Sequence, residues 1–464
     1  MKLRDKLGRL DMGMRPPVPP ITTPMPTVEA SAPQEPTRLD MLSSLRAQLS
    51  SLQQRTRPRE RVQIATAPVQ RPGRSFSEAL LDEHDRMPAR EVVVPGERVE
   101  TPRGPLYQTV VWHDLEHRHG GSEVVRAARV QASEVALLAL DAQLAGCELA
   151  RALYIDTETT GLAGGSGTLP FLIGMAWFED ERLCVEQLLL PKPGLEGPML
   201  TRLAERIARA STIVSYNGKS FDWPLLRTRF VLNRLAVPAL PPHLDLLHCA
   251  RRVYKARLGS VRLVHLEQEL LGHERIDDLP GELIPQRYFE FMRGQADGST
   301  LKPILDHNRH DLIALPALLG ELARRFALDP SARQHACDQL AFARVAARAQ
   351  ERDRAIAHAQ AVLEADVRGD FSAHAHLLVG ELELKRGAIE KAVASFEAAV
   401  ASGQDLERAR AHLALAKLHE HKTKLLERAL AHAACTLACE GEDARNRRMT
   451  RLSSRIQRRA NSCS

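Results

Sequence analysis

Two acidic residues separated by a single position, Asp156 and Glu158, end an apolar run and could together bind a metal ion. The run is ALYID, and it continues as TETTG. Because side chains alternate along a strand, both carboxylates would point to the same face of a sheet. Two like charges so close repel unless a cation lies between them, and hard cations such as Mg²⁺ and Mn²⁺ prefer oxygen ligands. The pattern therefore predicts a divalent-cation site at the end of this strand.

Two more carboxylates follow later in the chain, and each also has a simpler explanation. Asp222 comes where the strand TIVSYN turns through Gly218 into a helix, and a carboxylate there stabilises the helix N-terminus. Asp311 lies in an amphipathic helix whose apolar side carries Leu312 and Leu315. Taken singly, helix capping accounts for the first acid, and a solvated helix surface accounts for the second.

In their order along the chain, these segments resemble the three motifs of the DEDD superfamily of 3′→5′ exonucleases, which have a ribonuclease H-like fold. The matching segments are DTETTG, YNGKSFDWPLL and HNRHDLIAL. The runs HLDLLHCAR, LEQELLG and DDLPGELIPQRY are similar to bacterial ribonuclease H-like proteins of the YprB type, in which a tetratricopeptide segment often follows the nuclease-like domain. The resemblance spans about Ala152 to Leu322. It implies an α/β ribonuclease H-like mixed sheet flanked by helices, followed by an all-α tetratricopeptide-like repeat domain.

The resemblance also implies an activity and a set of site residues. The activity is metal-dependent hydrolysis of RNA or DNA, as a 3′→5′ exonuclease that uses two Mg²⁺ or Mn²⁺ ions. The implied ligands are the four acids Asp156, Glu158, Asp222 and Asp311. The expected substrate is a nucleic acid that is single-stranded or has a 3′ end, and four residues beside the motifs are predicted to contact it: Thr159, Gly161, Asn217 and Lys219. A non-catalytic adaptor that binds nucleic acid or protein is the alternative.

One position departs from the superfamily pattern. Its exonucleases place Tyr four residues, or His five residues, before the last acid, whereas this chain has His307 four residues and Asp306 five residues before Asp311. A residue four positions earlier on a helix lies on the same face, and an imidazole titrates near neutrality. His307 is therefore predicted to accept the proton of the attacking water. A purely structural role for His307 stays open.

Two other segments invite a functional interpretation. The spacing of His243, Asp245 and His248 allows a separate metal site, and it also allows Asp245 to join the acidic group. The glycine-rich segment GLAGGSGT has no lysine where a phosphate-binding loop needs one, which excludes that class of NTPase site. We expect this segment to be a mobile loop near the substrate.

The positive charge of the chain is concentrated at its ends. The protein has 464 residues and a formal charge of +6. Residues 1–74 carry +7 and residues 445–464 carry another +7, so the remainder carries the difference between +6 and +14, which is −8. With aromatic residues at 4%, extensive base stacking is not expected, and contacts to nucleic acid should be mainly to phosphate.

Composition and periodicity divide the chain into segments. A spacing of 37 residues relates Ala355, Ala392 and Ala429, which predicts stacked helix pairs whose surface could bind a protein partner. The predicted segments are a disordered Pro- and Arg-rich arm with a short amphipathic helix (1–85), a β-rich region with a strand at EVVV and a helix from a Ser133 cap to Leu144 (86–150), the ribonuclease H-like exonuclease domain (151–328), tetratricopeptide-like helical repeats (331–440) and an Arg-rich tail (441–464).

The cellular environment is predicted from the cysteines and from hydropathy. The seven cysteines form no Cys-x-x-Cys pair, which favours a reducing compartment. No apolar run approaches the roughly 18 residues of a membrane span. We therefore expect a cytoplasmic protein with no membrane partner.

Overall fold

The protein is described here from a computed structural model that covers residues 94–461 except 115, 162–166, 329–333 and 366–368. Two predictions lie outside the described residues. They are the N-terminal arm with its amphipathic helix and the central part of the glycine-rich loop.

A seven-stranded mixed sheet forms the centre of the nuclease-like domain. Its strand order is β1-β2-β7-β6-β5-β8-β9, with a separate two-stranded hairpin, β3-β4. The strands are β1 (Glu97–Thr101), β2 (Gly104–His113), β3 (Arg118–His119), β4 (Ser122–Glu123), β5 (Ala152–Thr159), β6 (Pro170–Glu179), β7 (Arg182–Leu189), β8 (Thr212–Ser215) and β9 (His243–Asp245). The pairs β1-β2, β2-β7, β7-β6 and β6-β5 are antiparallel, and the pairs β5-β8 and β8-β9 are parallel. The predicted mixed sheet is confirmed.

The β-rich region before residue 150 belongs to this sheet and does not form a unit of its own. Strand β2 pairs with β7 from Tyr107 opposite Leu189 to His113 opposite Leu183. The run EVVV, expected as a strand, gives no strand at its described end, and β1 begins only at Glu97. Pro95 and Gly96 intervene, and Gly96 has a φ of +100° and lies against the backbone of β2, which forces the turn.

Helices cover both faces of the sheet. They are α1 (Arg126–Arg129), α2 (Ala132–Ala139), α3 (Glu196–Arg209), α4 (Asp222–Leu232), α5 (Leu246–Leu258), α6 (Leu263–Leu266), α7 (Ile284–Met292) and α8 (Lys302–Phe326). The helix predicted from a Ser133 cap to Leu144 is shorter: it begins at Ala132 and ends at Ala139, where Leu140 adopts a left-handed φ of 56°. A five-residue 3₁₀ turn, Ala142–Gly146, completes the predicted stretch.

The alternation of β5 separates two cores. Tyr154 packs into the core that includes Leu312 of α8, and Ile155 packs into the opposite core with Leu203 of α3. Because side chains alternate, Asp156 follows Tyr154 toward the α8 side. The strand thus directs its terminal carboxylates toward the longest helix of the domain.

The C-terminal part is all-helical. Its helices are α9 (Ala336–Arg348), α10 (Arg352–Ala365), α11 (Ser372–Arg386), α12 (Ile389–Ser402), α13 (Asp405–Leu418), α14 (Leu426–Ala433), α15 (Leu437–Glu440) and α16 (Glu442–Asn461). The three alanines of the 37-residue spacing are fully buried, one in each of α10, α12 and α14. The predicted helical domain is confirmed, and its tetratricopeptide-like character stays a prediction.

The Arg-rich C-terminal segment, predicted as a tail, is a packed helix. Met449, Leu452 and Ile456 of α16 share one face and pack with helix α14, and Leu452 is fully buried. Arg451 and Arg455 pair with the buried Glu420 at 2.8 and 2.9 Å. The apolar spacing explains the helix, and the ion pairs offset part of its positive charge.

Candidate metal centre

Asp156 is held by a buried chain of amide hydrogen bonds. Asn308 of α8 donates from Nδ2 to Asp156 Oδ2 at 2.8 Å. Gln187 of β7, itself buried, donates from Nε2 to Asn308 Oδ1 at 2.8 Å, which fixes the amide orientation. Gly174 of β6 leaves the room for Asn308, because a Cβ there would lie 2.8 Å from Asn308 Cγ. Three neighbouring elements therefore determine where this carboxylate lies.

Helix α8 brings two further predicted residues to the same place. One potential ligand atom from each of Glu158, His307 and Asp311 lies within 4.8 Å of the other two. His307 and Asp311 are one helical turn apart, and their Nε2 and Oδ2 atoms are 3.8 Å apart. The four-residue spacing of His307 and Asp311 thus places both side chains toward β5.

Asp222 reaches the group from the first residue of α4. Thr157 of β5 donates from Oγ1 to Asp222 Oδ1 at 2.5 Å. The charge of Asp222 acts on both Asp156 and Glu158. All four predicted acids therefore converge at one end of the sheet.

Burial and mutual repulsion shift the titration of these acids. Burial, followed by the charges of Asp311 and Glu158, raises the pKa of Asp156 well above its ordinary value. Burial and the charges of Asp311 and Asp222 raise the pKa of Glu158 to about 8. Burial also raises the pKa of Asp222 to about 6, although the hydrogen bond from Thr157 opposes this shift. Such shifts mean that the fold lacks enough positive charge to balance the group.

The donor set fits a hard divalent cation. It consists of carboxylate oxygens with one imidazole at the edge, and oxygen donors suit Mg²⁺ and Mn²⁺. A cation between the acids would oppose the repulsion that raises their pKa values. The four acids can therefore serve as ligands, with His307 beside them.

Arg275, in the loop before α7, is a site residue that the sequence did not reveal. Its side chain is only 2% exposed, and its guanidinium contacts Asp311, Glu267 at 2.6 Å and Asp278 at 3.1 Å. Burial alone would lower the pKa of Arg275, but Asp311 and Glu267 raise it above its ordinary value. No periodic pattern surrounds this arginine, so nothing in the sequence indicated that its side chain is buried.

Asp278 orients His307. Both oxygens of the Asp278 carboxylate lie 2.9 Å from His307 Nδ1. An ionised carboxylate only accepts hydrogen bonds, so Nδ1 carries a proton, and the neutral imidazole would have the lone pair of Nε2 available. Burial would raise the pKa of Asp278, but the neighbouring His307 and Arg275 hold it below its ordinary value. Asp278 belongs to the segment DDLPGELIPQRY, in which no pattern indicates a role for this aspartate.

Comparison with known proteins agrees with this geometry. Residues 153–323 match a family model described as the RNase_H superfamily. The chain is 36% identical over 298 residues to YprB, an uncharacterized protein of Bacillus subtilis (strain 168), and the match covers 62% of this chain and 71% of YprB. The chain belongs to the YprB family of the ribonuclease H superfamily. The superfamily is of the nuclease type and commonly uses divalent metals.

In this YprB-family protein, Asp245 positions the loop that leads to Asp222, and after burial its charge contributes to the raised pKa of Asp222. Its carboxylate accepts backbone hydrogen bonds from Asn217 at 2.8 Å and Lys219 at 3.2 Å, and it also caps helix α5 at Leu247. His243 instead contacts the hydroxyl of Ser215 at 2.7 Å. The carboxylate is thus occupied by the turn that leads to Asp222.

The four predicted substrate contacts lie on two loops beside the centre. Thr159 donates to the carbonyl of Gly161 at 3.0 Å, just before the undescribed part of the glycine-rich loop. Asn217 has a left-handed φ of 69°, and the ammonium of Lys219 lies 3.8 Å from Asp141 Oδ2. These positions are compatible with substrate contact, which stays a prediction.

The aromatic residues near the motifs differ in exposure. Phe171 is fully buried and stacks on Tyr288 with ring centroids 3.9 Å apart. Phe221, directly before Asp222, is 54% exposed.

Among the described residues, no helix is both long enough and apolar enough to cross a membrane.

Proposed function

We propose that this protein is a metal-dependent nuclease that hydrolyses phosphodiester bonds of RNA or DNA as a 3′→5′ exonuclease. The observation that carries the proposal is the convergence of Asp156, Glu158, Asp222 and Asp311 beside His307. The family relationship supports the nuclease class, and the arrangement of acids supports a two-ion mechanism.

The four acids would hold two Mg²⁺ or Mn²⁺ ions. Bound there, the ions would lower the pKa of an attacking water and stabilise the leaving oxygen of the phosphodiester. Asn308 keeps one oxygen of Asp156 in a fixed direction, and Thr157 does the same for Asp222. The protein thus orients the ligands before any ion binds, which lowers the cost of assembling the site.

His307 would act as the general base. Its Nε2 would take a proton from water as the water oxygen bonds to phosphorus and the bond from phosphorus to the 3′ oxygen breaks. Solvent then supplies a proton to the leaving oxygen. Asp278 would keep Nε2 directed toward the reacting water and stabilise the imidazolium, as a carboxylate does for histidine in other hydrolases.

The substrate would enter through its backbone. A nucleic acid that is single-stranded or has a 3′ end could contact Lys219 and the backbone near Asn217 on one loop, and Thr159 and Gly161 on the other. Binding would be weakly sequence-specific and would weaken with salt.

We further propose that the protein is cytoplasmic and that the helical repeats, tetratricopeptide-like in their spacing, bind a protein partner.

The proposal is tested with end-labelled single- and double-stranded RNA and DNA in the presence of Mg²⁺ or Mn²⁺. We expect stepwise shortening from the 3′ end by the wild-type protein, and loss of activity in Asp156→Asn and Asp311→Asn. Asp180→Asn, in the exposed turn between β6 and β7, is the matched control and should retain activity. Unchanged activity in the first two variants would contradict the mechanism.

The role of His307 has its own measurement. His307→Ala should lower kcat by about 10²- to 10⁴-fold, the usual contribution of a general base, and should remove the acidic limb of the pH–rate profile. Asp278→Asn should lower kcat less. A wild-type protein that binds nucleic acid without cutting it under any of these conditions would instead favour the non-catalytic adaptor. The absence of the usual tyrosine four residues before Asp311 is the observation that favours this alternative.

A further inference from the structure

A second polar cluster is connected to the acidic centre through Arg275, and a small hairpin contributes one of its residues. The β3-β4 turn lies directly against the backbone that follows α6: the Gly121 N–H donates to the Leu271 carbonyl at 2.6 Å. Gly120 has a φ of +59°, and a Cβ on it would lie 2.9 Å from the His273 backbone nitrogen. Only glycines allow so close an approach, and it carries His119 into the domain.

Three side chains of metal-binding type meet there. His119 is 3% exposed and Glu267 is fully buried, and their Nε2 and Oε1 atoms are 2.7 Å apart. The rings of His119 and His273 have centroids 3.8 Å apart. One potential ligand atom from each of the three residues lies within 4.8 Å of the other two. Glu267 begins a single π-helical turn, a local irregularity that often accompanies a functional site.

The cluster contains buried nitrogens with no partner. Among the described residues, neither His273 Nε2 nor His310 Nδ1 has a hydrogen-bond partner, although both atoms are buried. The rings of these two histidines have centroids 6.2 Å apart. A buried polar atom without a partner costs about 1–3 kcal/mol, so it calls for an explanation. In the tautomer that leaves this nitrogen unprotonated, it has the unused lone pair that a metal ligand needs.

The carboxylate of Glu267 has a second partner besides His119. Arg275 contacts its Oε2 at 2.6 Å. Metal-binding carboxylates are usually supported by such an outer hydrogen bond.

We propose that His119, Glu267 and His273 bind a Zn²⁺ ion. Two imidazole nitrogens and one carboxylate oxygen are a donor set that zinc accepts, whereas the oxygen-rich acidic centre suits Mg²⁺ or Mn²⁺. The ion fixes the β3-β4 hairpin onto the segment that begins at Glu267. Because Arg275 contacts both Glu267 and Asp311, the zinc site also stabilises the position of an acid of the first centre.

The proposal is independent of nuclease activity, and its test measures metal content. Tag-free full-length protein is equilibrated with Zn²⁺, dialysed and analysed for bound metal by mass spectrometry. We expect one zinc ion per chain in the wild type and in Asp156→Asn, which alters only the acidic centre. His273→Ala should lower the zinc affinity at least about tenfold, since a ligand is lost.

The matched control is His265→Ala, which removes a partly exposed histidine from the same helical region. It should leave the zinc content unchanged. An ordered water could satisfy His273 Nε2 as well as a metal does. Wild-type protein that retains no zinc would show that a water is the partner and would overturn the proposal, as would equal zinc content in His273→Ala.

A second measurement does not depend on any variant folding. Wild-type protein loaded with Co²⁺ should show visible d–d absorption without the thiolate charge-transfer band that cysteine ligands produce. A thiolate band would assign the bound metal to one of the cysteines, and absence of d–d absorption would exclude an ordered site. Either result would overturn the proposal.

Discussion

At the scale of single residues, the acidic centre is a group of charges with too little compensation from the protein. Arg275 opposes the rise in the pKa of Glu158, but Asp311, Asp222 and Asp278 all act in the other direction. Without a bound cation, the fold therefore relieves the repulsion by holding protons on its carboxylates. These protons connect the stability of the protein to pH.

Metal-free protein should lose stability as the pH rises through the range in which Glu158 titrates. An unfolded glutamate has a pKa of 4.5, whereas folded Glu158 has a pKa of about 8. Between these values the folded state binds one proton more than the unfolded state, so the free energy of unfolding falls by up to about 1.4 kcal/mol per pH unit. Glu158→Gln removes this titration. Urea unfolding at several pH values in EDTA should show a flatter pH dependence for the variant.

The control for this prediction is Glu282→Gln, at an exposed position. Its free energy of unfolding should follow the wild type at every pH. If the wild type and Glu158→Gln gave parallel curves between pH 5 and pH 8, Glu158 would have to titrate normally, and the shift described here would be wrong.

The sequence predicted some residues of the centre better than others. Strand alternation alone paired Asp156 with Glu158, because both belong to one element. Asp222 and Asp311 joined them only through the order of the motifs. Arg275 and Asp278 come from a loop, where no periodicity indicates the direction of a side chain, so only the folded structure brings them to the site.

At the scale of elements, the close contact between β6 and α8 determines the geometry of Asp156. Gly174 faces Asn308 and Leu312, and a Cβ on Gly174 would lie 2.7 Å from Leu312 Cδ1. Real side chains do not approach so closely, so the helix lies near the sheet only because this position is glycine. Asn308 then spans the gap to Asp156.

Gly174→Ala should therefore separate the helix from the sheet. We expect a loss of about 1–3 kcal/mol of stability from overpacking, together with displacement of Asn308 from Asp156. Urea unfolding measures the loss of stability. A weaker dependence of thermal stability on Mg²⁺ would report the displacement of Asn308. Gly146→Ala, where the added Cβ meets nothing within 4 Å, should stay close to the wild type. A fully stable Gly174→Ala would mean that the helix has room to move.

Helices and strands were predicted well where apolar residues recur periodically. They were predicted less well where local backbone geometry determines the end of an element. The strands ALYID and TIVSYN and the helix of Asp311 are confirmed. The full length of the Ser133 helix was wrong, because Leu140 adopts a positive φ value. The basic C-terminus was predicted only as an Arg-rich tail, although its apolar residues recur at helical spacing.

At the scale of the whole molecule, the nuclease-like domain and the first helices of the C-terminal part, where the repeats are predicted, share one core. Phe342 of α9 is fully buried, and its ring centroid lies 5.9 Å from that of Phe326 in α8 and 6.3 Å from that of Tyr254 in α5. Arg257 of α5 pairs with the fully buried carboxylate of Asp338 at 2.7 Å. The junction therefore resembles a domain interior more than a linker.

This shared core predicts that damage at the first repeat helix is transmitted to the sheet. Phe342→Ala should cost about 3–5 kcal/mol and reduce hydrogen-exchange protection in β5 and β8 as well as in α9. Phe396→Ala removes an equally buried ring, but one that packs only among repeat helices. It should lower protection in α11 and α12 and leave the sheet unchanged. If Phe342→Ala also left the sheet protected, the two parts would unfold independently, and the repeats could not stabilise the acidic centre through this core.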